Sequence, residues 1–230
     1  MKALTSLAPK NLDTQLKAVE TWKSLGFEVF SFNIQKDIDL IGQVEDIILV
    51  ESDPNLLEIL YYCCQQDEPT WIINPHTSLQ VDAESILKIQ KKSKESLVFG
   101  SSVEGETVNL KNFDWFVIHK NHKYIINSRQ KFYIDKPLWD HWLPLTFIKK
   151  NLLPILCKDF ISYQHVEHRG LVSGIEYVET MEQEKKDTIE FSKRLIKDMG
   201  LSLHSEEESL LSITDFTLEK IYKESKIWLV

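Results

Sequence analysis

Asp114 and Asp140 stand directly against large aromatic rings, in the pairs Asp114-Trp115 and Trp139-Asp140, within an aromatic-rich stretch from Phe113 to Leu145. A carboxylate among such rings loses solvation, so it must find a hydrogen-bond partner, shift its pKa or hold a ligand. Two uses are open to each: part of a polar site floor, or a cap on a backbone N–H beside a core tryptophan. Trp139 and Trp142 flank Asp140 and serve either as core rings or as platforms for the apolar face of a sugar. His119 and His122, with Lys120 and Lys123, form a basic spot that is either a phosphate or acceptor contact or a solvated turn. His165 and His168 lie three apart, sharing a face on a helix and pointing to opposite sides on a strand.

The first half of the chain alternates in a way that supplies elements to position these groups. Lys2 to Leu7 reads as a strand, and Asn11 to Leu25 as a helix with the stripe Leu12, Leu16, Val19 and Trp22, stopped by Gly26. Strands are expected at Phe27 to Asn33, Ile47 to Val50, Thr70 to Asn74 and Ser96 to Ser101. Helices are expected after the Ser52-Asp53-Pro54 turn, through Leu56, Leu57, Leu60 and Tyr61, and from Asp82 to Lys92. Strands and helices in that order build right-handed βαβ units, with ligands outside the carboxyl ends of the strands. The loops singled out are Ser6 to Lys10, Asn33 to Asp37, Glu51 to Asn55, Asn74 to Ser78 and Ser101 to Glu106. Beyond Gly105 come short strands at Trp115 to Ile118 and Phe132 to Ile134, a helix from Leu138 to Lys149 and a strand near Phe160 to Tyr163. The Glu- and Lys-rich tail suggests helices over Ile175 to Met199 and Ser205 to Ser225, with Gly200 between them.

Composition limits what this arrangement can serve. A chain of 230 residues with 43% hydrophobic content can bury a real core. A formal net charge of -8 and a pI near 5.4 argue against a nucleic-acid surface, which needs clustered Lys and Arg. No run approaches the length of a membrane span, and Met1 leads into a short apolar segment with one Lys, so a soluble cytoplasmic protein is expected. Cys63, Cys64 and Cys157 have no CxxC spacing and read as buried thiols of a reducing compartment. Neither GxGxxG nor GxxxxGK[ST] occurs among the seven glycines, which excludes a classical dinucleotide fingerprint and a P-loop.

Taken in order, the runs TSLAPKNLDTQLKAVETWKSLGFEVFSFN, WIINPHTSL, LVFGSSVEG, NFDWFVIHK, KPLWDHWLPL and ISYQHVEHRG resemble GT-A-type glycosyltransferase-like proteins. The resemblance covers about residues 1 to 170. It implies a mixed, mostly parallel α/β sheet flanked by helices over residues 1–172, and places a C-terminal helical extension at 173–230. It also implies that Ser6, Leu7, Ala8 and Pro9, with the strand end at Ser31 to Asn33, hold the base and ribose of a nucleotide. Where such proteins carry an acidic Asp-x-Asp metal motif, this chain has Asn74-Pro75-His76, a degenerate form. Mg²⁺ and Mn²⁺ favour carboxylate oxygen, so the change weakens the expected metal site. His76 is left as a Mn²⁺ ligand, as a direct diphosphate contact, or as a loop residue with no metal role.

The same resemblance gives Asp140 the role of accepting the proton of an incoming hydroxyl, and places Asp114 on the acceptor side. His165 and His168 become reaches to a metal or diphosphate, and Arg169 offers the diphosphate its guanidinium fork. The function implied is transfer of a sugar from a nucleoside diphosphate sugar to a hydroxyl acceptor, such as a glycan or surface polysaccharide precursor. The alternative is a non-catalytic nucleotide- or glycan-binding or interaction protein that kept the fold without the acidic motif. A second copy of the chain, docked through the tail, is a further candidate partner.

Overall fold

The computed structural model describes residues 1–101, 103–104, 107–108, 113–125, 134, 139–158, 162–164, 193, 197 and 210–228. Strand β1 (Lys2–Thr5) feeds α1 (Leu12–Ser24), which buries Gln15, Ala18, Val19 and Trp22. The helix stops where Gly26 takes φ 85°: its N–H bonds Lys23 O, and Phe27 N–H bonds Trp22 O. Next come β2 (Glu28–Asn33), α2 (Gln35–Ile41), β3 (Ile47–Glu51) and α3 (Leu56–Cys63), the last started by Asn55 accepting from Glu58 N–H at 3.1 Å. They are followed by β4 (Thr70–Ile73), β5 (Thr77–Leu79) and α4 (Ala83–Ser93), which Asp82 caps through Ser85 N–H at 2.7 Å. The remaining elements are β6 (Val98–Gly100), β7 (Val103–Glu104), β8 (Thr107–Val108), β9 (Trp115–Ile118), a 3-10 turn over Lys120–Ile125, α5 (Trp139–Lys149), β10 (Ile155–Cys157), β11 (Ser162–Gln164), α6 (Leu210–Glu224) and β12 (Lys226–Trp228).

Eight strands form one sheet in the order β12-β10-β6-β9-β4-β1-β2-β3, parallel throughout except for β9, which runs antiparallel between β4 and β6. This is the mixed, mostly parallel α/β sheet expected. Alternation along the strands divides the core between two faces. On one, Leu4, Phe30, Ile72, Phe99 and Phe116 meet α3, α5 and α6. On the other, Ala3, Val29, Trp71, Val98 and Trp115 meet α1 and α4. Burying both faces explains why the central strands read as nearly unbroken apolar runs.

Elements without long periodicity departed from expectation. Helix α2 is only seven residues long, and Ile34 before it provides no side-chain cap. Strands β10 and β12 have three residues each, too few to show an alternation. Residues from the expected helical extension supply both α6 and β12, and β12 pairs with β10 at the edge of the large sheet. The strand expected near Phe160 to Tyr163 is β11, and it belongs to a second, four-stranded sheet ordered β5-β11-β7-β8. Ile134 lies in a turn, and the rest of the strand expected there lies outside the described residues, as does most of the helix expected over Ile175 to Met199.

Candidate functional site

The chain places β2 and β3 on one side of β1 and then β4 on the other, so the strand order reverses between β1 and β4. In open α/β sheets, connections leaving the carboxyl ends of the strands diverge at such a reversal and leave a crevice. By that rule the crevice belongs between the loop after β1 and the loop after β4. Those loops hold Ser6, Leu7, Ala8 and Pro9 on one side and Asn74-Pro75-His76 on the other.

The first loop is clamped from below. Gln15, fully buried on α1, accepts from Ala8 N–H at 2.8 Å and donates to Ala8 O at 2.9 Å and to Lys10 O at 2.7 Å. Asn33, fully buried at the end of β2, donates to Leu7 O at 2.6 Å and accepts from Ser31 Oγ at 2.5 Å. Ser31 Oγ in turn accepts from Leu7 N–H at 2.9 Å. The main-chain groups of Leu7 and Ala8 are therefore occupied within the fold. Asn33 acts on the loop from beneath, while Ser6, Ala8 and Pro9 form its accessible rim.

The second loop turns on Asn74, whose Oδ1 accepts from His76 N–H at 3.1 Å and whose own N–H donates to Asp114 O at 2.8 Å. Asp114 N–H donates to Gly100 O at 2.9 Å, so Asn74, Asp114 and the end of β6 are joined side by side. Gly100 has to be glycine, because a Cβ there would overlap the Trp115 indole. Asp140 Oδ2 accepts from Phe113 N–H at 2.8 Å and stands 3.8 Å from His141 Nε2. Asn74, His76, Asp114 and Asp140 are all at most 9% exposed, and hydrogen bonds link Asn74 to His76 and Asp114, and Asp140 to Phe113 beside Asp114.

Other elements flank these four residues. The small sheet collects segments that leave β4, β6 and β10, and it is stitched to α1 by Trp22 Nε1 to Thr77 O at 2.7 Å and by Leu79 N–H to Thr21 Oγ1 at 2.9 Å. Across the sheet stand α5 and α6, joined by His141 Nδ1 and Thr217 Oγ1 at 2.7 Å, with both residues buried. Tyr222 on α6 packs on Phe113 at 6.2 Å between ring centroids; burial pushes its phenol above the usual range. Gln15 and Thr217 were not marked by the sequence: Gln15 acts on main-chain groups five to seven residues before it, and Thr217 acts on His141, 76 positions away.

Other expected residues lie elsewhere. His165, His168 and Arg169 are outside the described residues, beyond the β11 end where Gln164 pairs with Thr77. Trp139 and Trp142 are at most 5% exposed and serve the core. His119 and His122 follow β9, whose far end pairs Ile118 with Thr70, the start of β4. That puts the basic spot at the amino edge of the sheet, about 10 Å of strand away from the crevice. Burial depresses both imidazoles, His122 to about 4. Burial also pushes the Cys63 thiol up and raises Cys64 to about 11, as expected of unreactive thiols.

The described residues do not fit a divalent cation. Asn74 offers a neutral amide oxygen already bonded to His76 N–H, and no three His, Cys, Asp or Glu side chains among the described residues gather to hold a metal. No described helix is long and apolar enough to cross a membrane.

No family model and no curated protein matches the chain. Among solved structures it is similar to the inositol-1-phosphate CTP transferase from T. maritima, at 11% identity and a TM-score of 0.49, covering 80% of this chain and 96% of that one. A Bacillus anthracis protein assigned as a glucose-1-phosphate thymidylyltransferase, in complex with a sucrose, gives 8% identity and a TM-score of 0.48 over 74% of this chain and 91% of that one. A hypothetical transferase from Thermus thermophilus gives 12% identity and a TM-score of 0.30 over 91% and 98%. Likenesses at this level do not carry an activity across.

Proposed function

We propose that the crevice at the β1/β4 reversal binds a nucleoside diphosphate sugar, and that the chain transfers the sugar to a hydroxyl acceptor, a glycan or a surface polysaccharide precursor. The observation that supports this reading is the strand order: β1 and β4 are parallel neighbours at the reversal, so the clamped Ser6 to Pro9 loop and the Asn74 to His76 turn leave the same edge of the sheet. A loop held by Gln15 and Asn33 is organised before any ligand arrives, which lowers the ordering cost of binding. The base and ribose lie along the Ser6, Ala8 and Pro9 rim, and the diphosphate lies toward Asn74 and His76.

Catalysis in this reading is positioning plus charge stabilisation on the departing diphosphate. The described donor set does not fit Mg²⁺ or Mn²⁺, so the stabilising charge is assigned to protein cations: His76 when protonated, and Arg169 beyond the described residues. Asp140 Oδ2 is committed to Phe113, so Oδ1 is the oxygen assigned to the acceptor's proton. Asp114 shapes the acceptor side of the site through its bonds to Asn74 and Gly100.

A second reading, a binding module without catalysis, is favoured by a different observation. The main-chain groups of Leu7 and Ala8 and the side-chain oxygens of Asn33 and Asn74 are already engaged within the fold. Thermal-shift titration with a panel of nucleoside diphosphates, with and without Mn²⁺, followed by assays of their sugar conjugates, separates the two. One preferred nucleotide plus slow release of its sugar, lost in Asp140→Asn, supports the transferase. Nucleotide binding with no turnover supports a nucleotide-binding module, and no nucleotide response at all ends the transferase reading and favours a glycan-binding or interaction module. Pyrophosphate release from a nucleoside triphosphate would instead mark a nucleotidyl transfer.

A further inference from the structure

Ile48 and Ile227 are the two ends of one row of side chains. Strand register carries that row from Ile48 through Phe30, Leu4, Ile72, Phe116, Phe99 and Leu156 to Ile227, one residue from each strand of the large sheet. The inner members are at most 7% exposed, whereas Ile48 is 43% and Ile227 48% exposed. They are open because the sheet stops: among the described residues, β3 pairs with β2 alone and β12 with β10 alone. Edge strands present N–H and C=O groups that template pairing with another chain. Here both edges also offer an apolar side chain, on the same face and at the same level.

The two edges carry opposite charge. Between Ile34 and Asp53 the chain has six acids against Lys36 alone, with Asp46 and Glu51 exposed at the two ends of β3. From α1, Lys23 approaches Asp46 only to 3.9 Å. The segments that make the other edge, 149–158 and 223–228, have five lysines against Glu224, which pairs with Lys220. Lys158 and Lys226 are exposed there, and Glu95, which faces Lys226, is bonded to Lys92. Joining two like edges would set acids or lysines against one another, whereas unlike edges attract.

We propose that the β3 edge of one chain docks the β12 edge of a second copy, head to tail, in a parallel pair that sets Ile227 beside Ile48. That register places Lys226 beside Ile47, one residue from Asp46, and Trp228 beside Leu49. Lys158, whose N–H donates to Trp228 O at 3.3 Å, comes to the end nearest Glu51. A parallel pair keeps both isoleucines on the face that holds Phe30 and Leu156, so the apolar row runs on from chain to chain. The two surfaces differ, so the contact is heterologous and chains add in series. It does not depend on what the crevice binds.

The test is sedimentation velocity of the full chain at low salt, over concentrations from about micromolar to millimolar, with two variants that each put a charge at one end of the row, Ile48→Lys and Ile227→Lys. Wild-type mass should rise with concentration. Each variant alone should stay at the 26.9 kDa of one chain. An equimolar mixture should form a species of two chains and no more, because one intact β3 edge then meets one intact β12 edge. Should either lysine unfold the chain, Ile48→Thr and Ile227→Thr shorten the apolar row and keep a strand-forming residue. A wild type that stays monomeric throughout, or a mixture that does, overturns the proposal. So does assembly of Ile48→Lys by itself, which would mark a symmetric β12 contact, or of Ile227→Lys by itself, which would mark a symmetric β3 contact.

Discussion

Oδ2 of Asp140 accepts the main-chain N–H of Phe113 at 2.8 Å, so an acid in the first turn of α5 fixes the residue that leads into β9. The bond spans 27 positions of sequence and holds Asp114 between β4 and β6. It also separates two jobs within one side chain, structural at Oδ2 and, in the proposed transfer, chemical at Oδ1.

Substitution at Asp140 should therefore split by type. Asp140→Ala leaves a buried N–H without its acceptor, which costs about 1–3 kcal/mol, whereas Asp140→Asn keeps an oxygen there and should cost about half of that or less. Urea unfolding of the two variants measures the difference. Equal midpoints for Asp140→Ala and wild type would show that the bond does not hold the strand.

Gly100 should not tolerate a methyl group. Its Cβ would come within 2.3 Å of the Trp115 ring, and Trp115 is fully buried and packed on Trp71 at 5.4 Å. Gly100→Ala is expected to destabilise by about 1–3 kcal/mol and to change tryptophan fluorescence as the indole moves. An unaltered spectrum with an unaltered midpoint would contradict the packing described.

Releasing the first loop should affect fold and ligand together. Gln15→Ala removes all three bonds that Gln15 makes to Ala8 and Lys10, at a cost of about 1–3 kcal/mol. Any thermal shift produced by a nucleoside diphosphate should shrink, because the loop must then be ordered on binding. A destabilised variant with a full nucleotide shift would place the nucleotide elsewhere.

Acid should weaken the amino edge of the sheet through His122. Burial, and secondly the neighbouring His119, lower its pKa from 6.5 to about 4, so the folded state resists a proton that the unfolded chain accepts. Stability from this group is complete above 6.5 and is lost as pH falls from there toward 4, by at most about 1.4 kcal/mol per pH unit. His122→Phe, which keeps a ring against Phe147, should flatten the fall in melting temperature between neutral pH and about pH 4.5. Identical slopes in the two proteins would assign the acid sensitivity to other groups.

The sequence by itself determined the alternation of strands and helices, because the stripe of α1, the stop at Gly26 and the apolar run of β9 are encoded within a few residues of one another. It also marked Asn74, His76, Asp114 and Asp140 as polar groups out of place. Tertiary structure alone decided what those groups do: it gave Asp140 to Phe113, seated Asn33 beneath Leu7, and sent the HKNHK spot to the edge away from the crevice. It also drew β12 from the tail into the large sheet and set Tyr222 against Phe113. The physical reason is range. Periodicity and capping act over one or two turns of chain, whereas the partner of a buried polar group is whichever element the packed core carries alongside it.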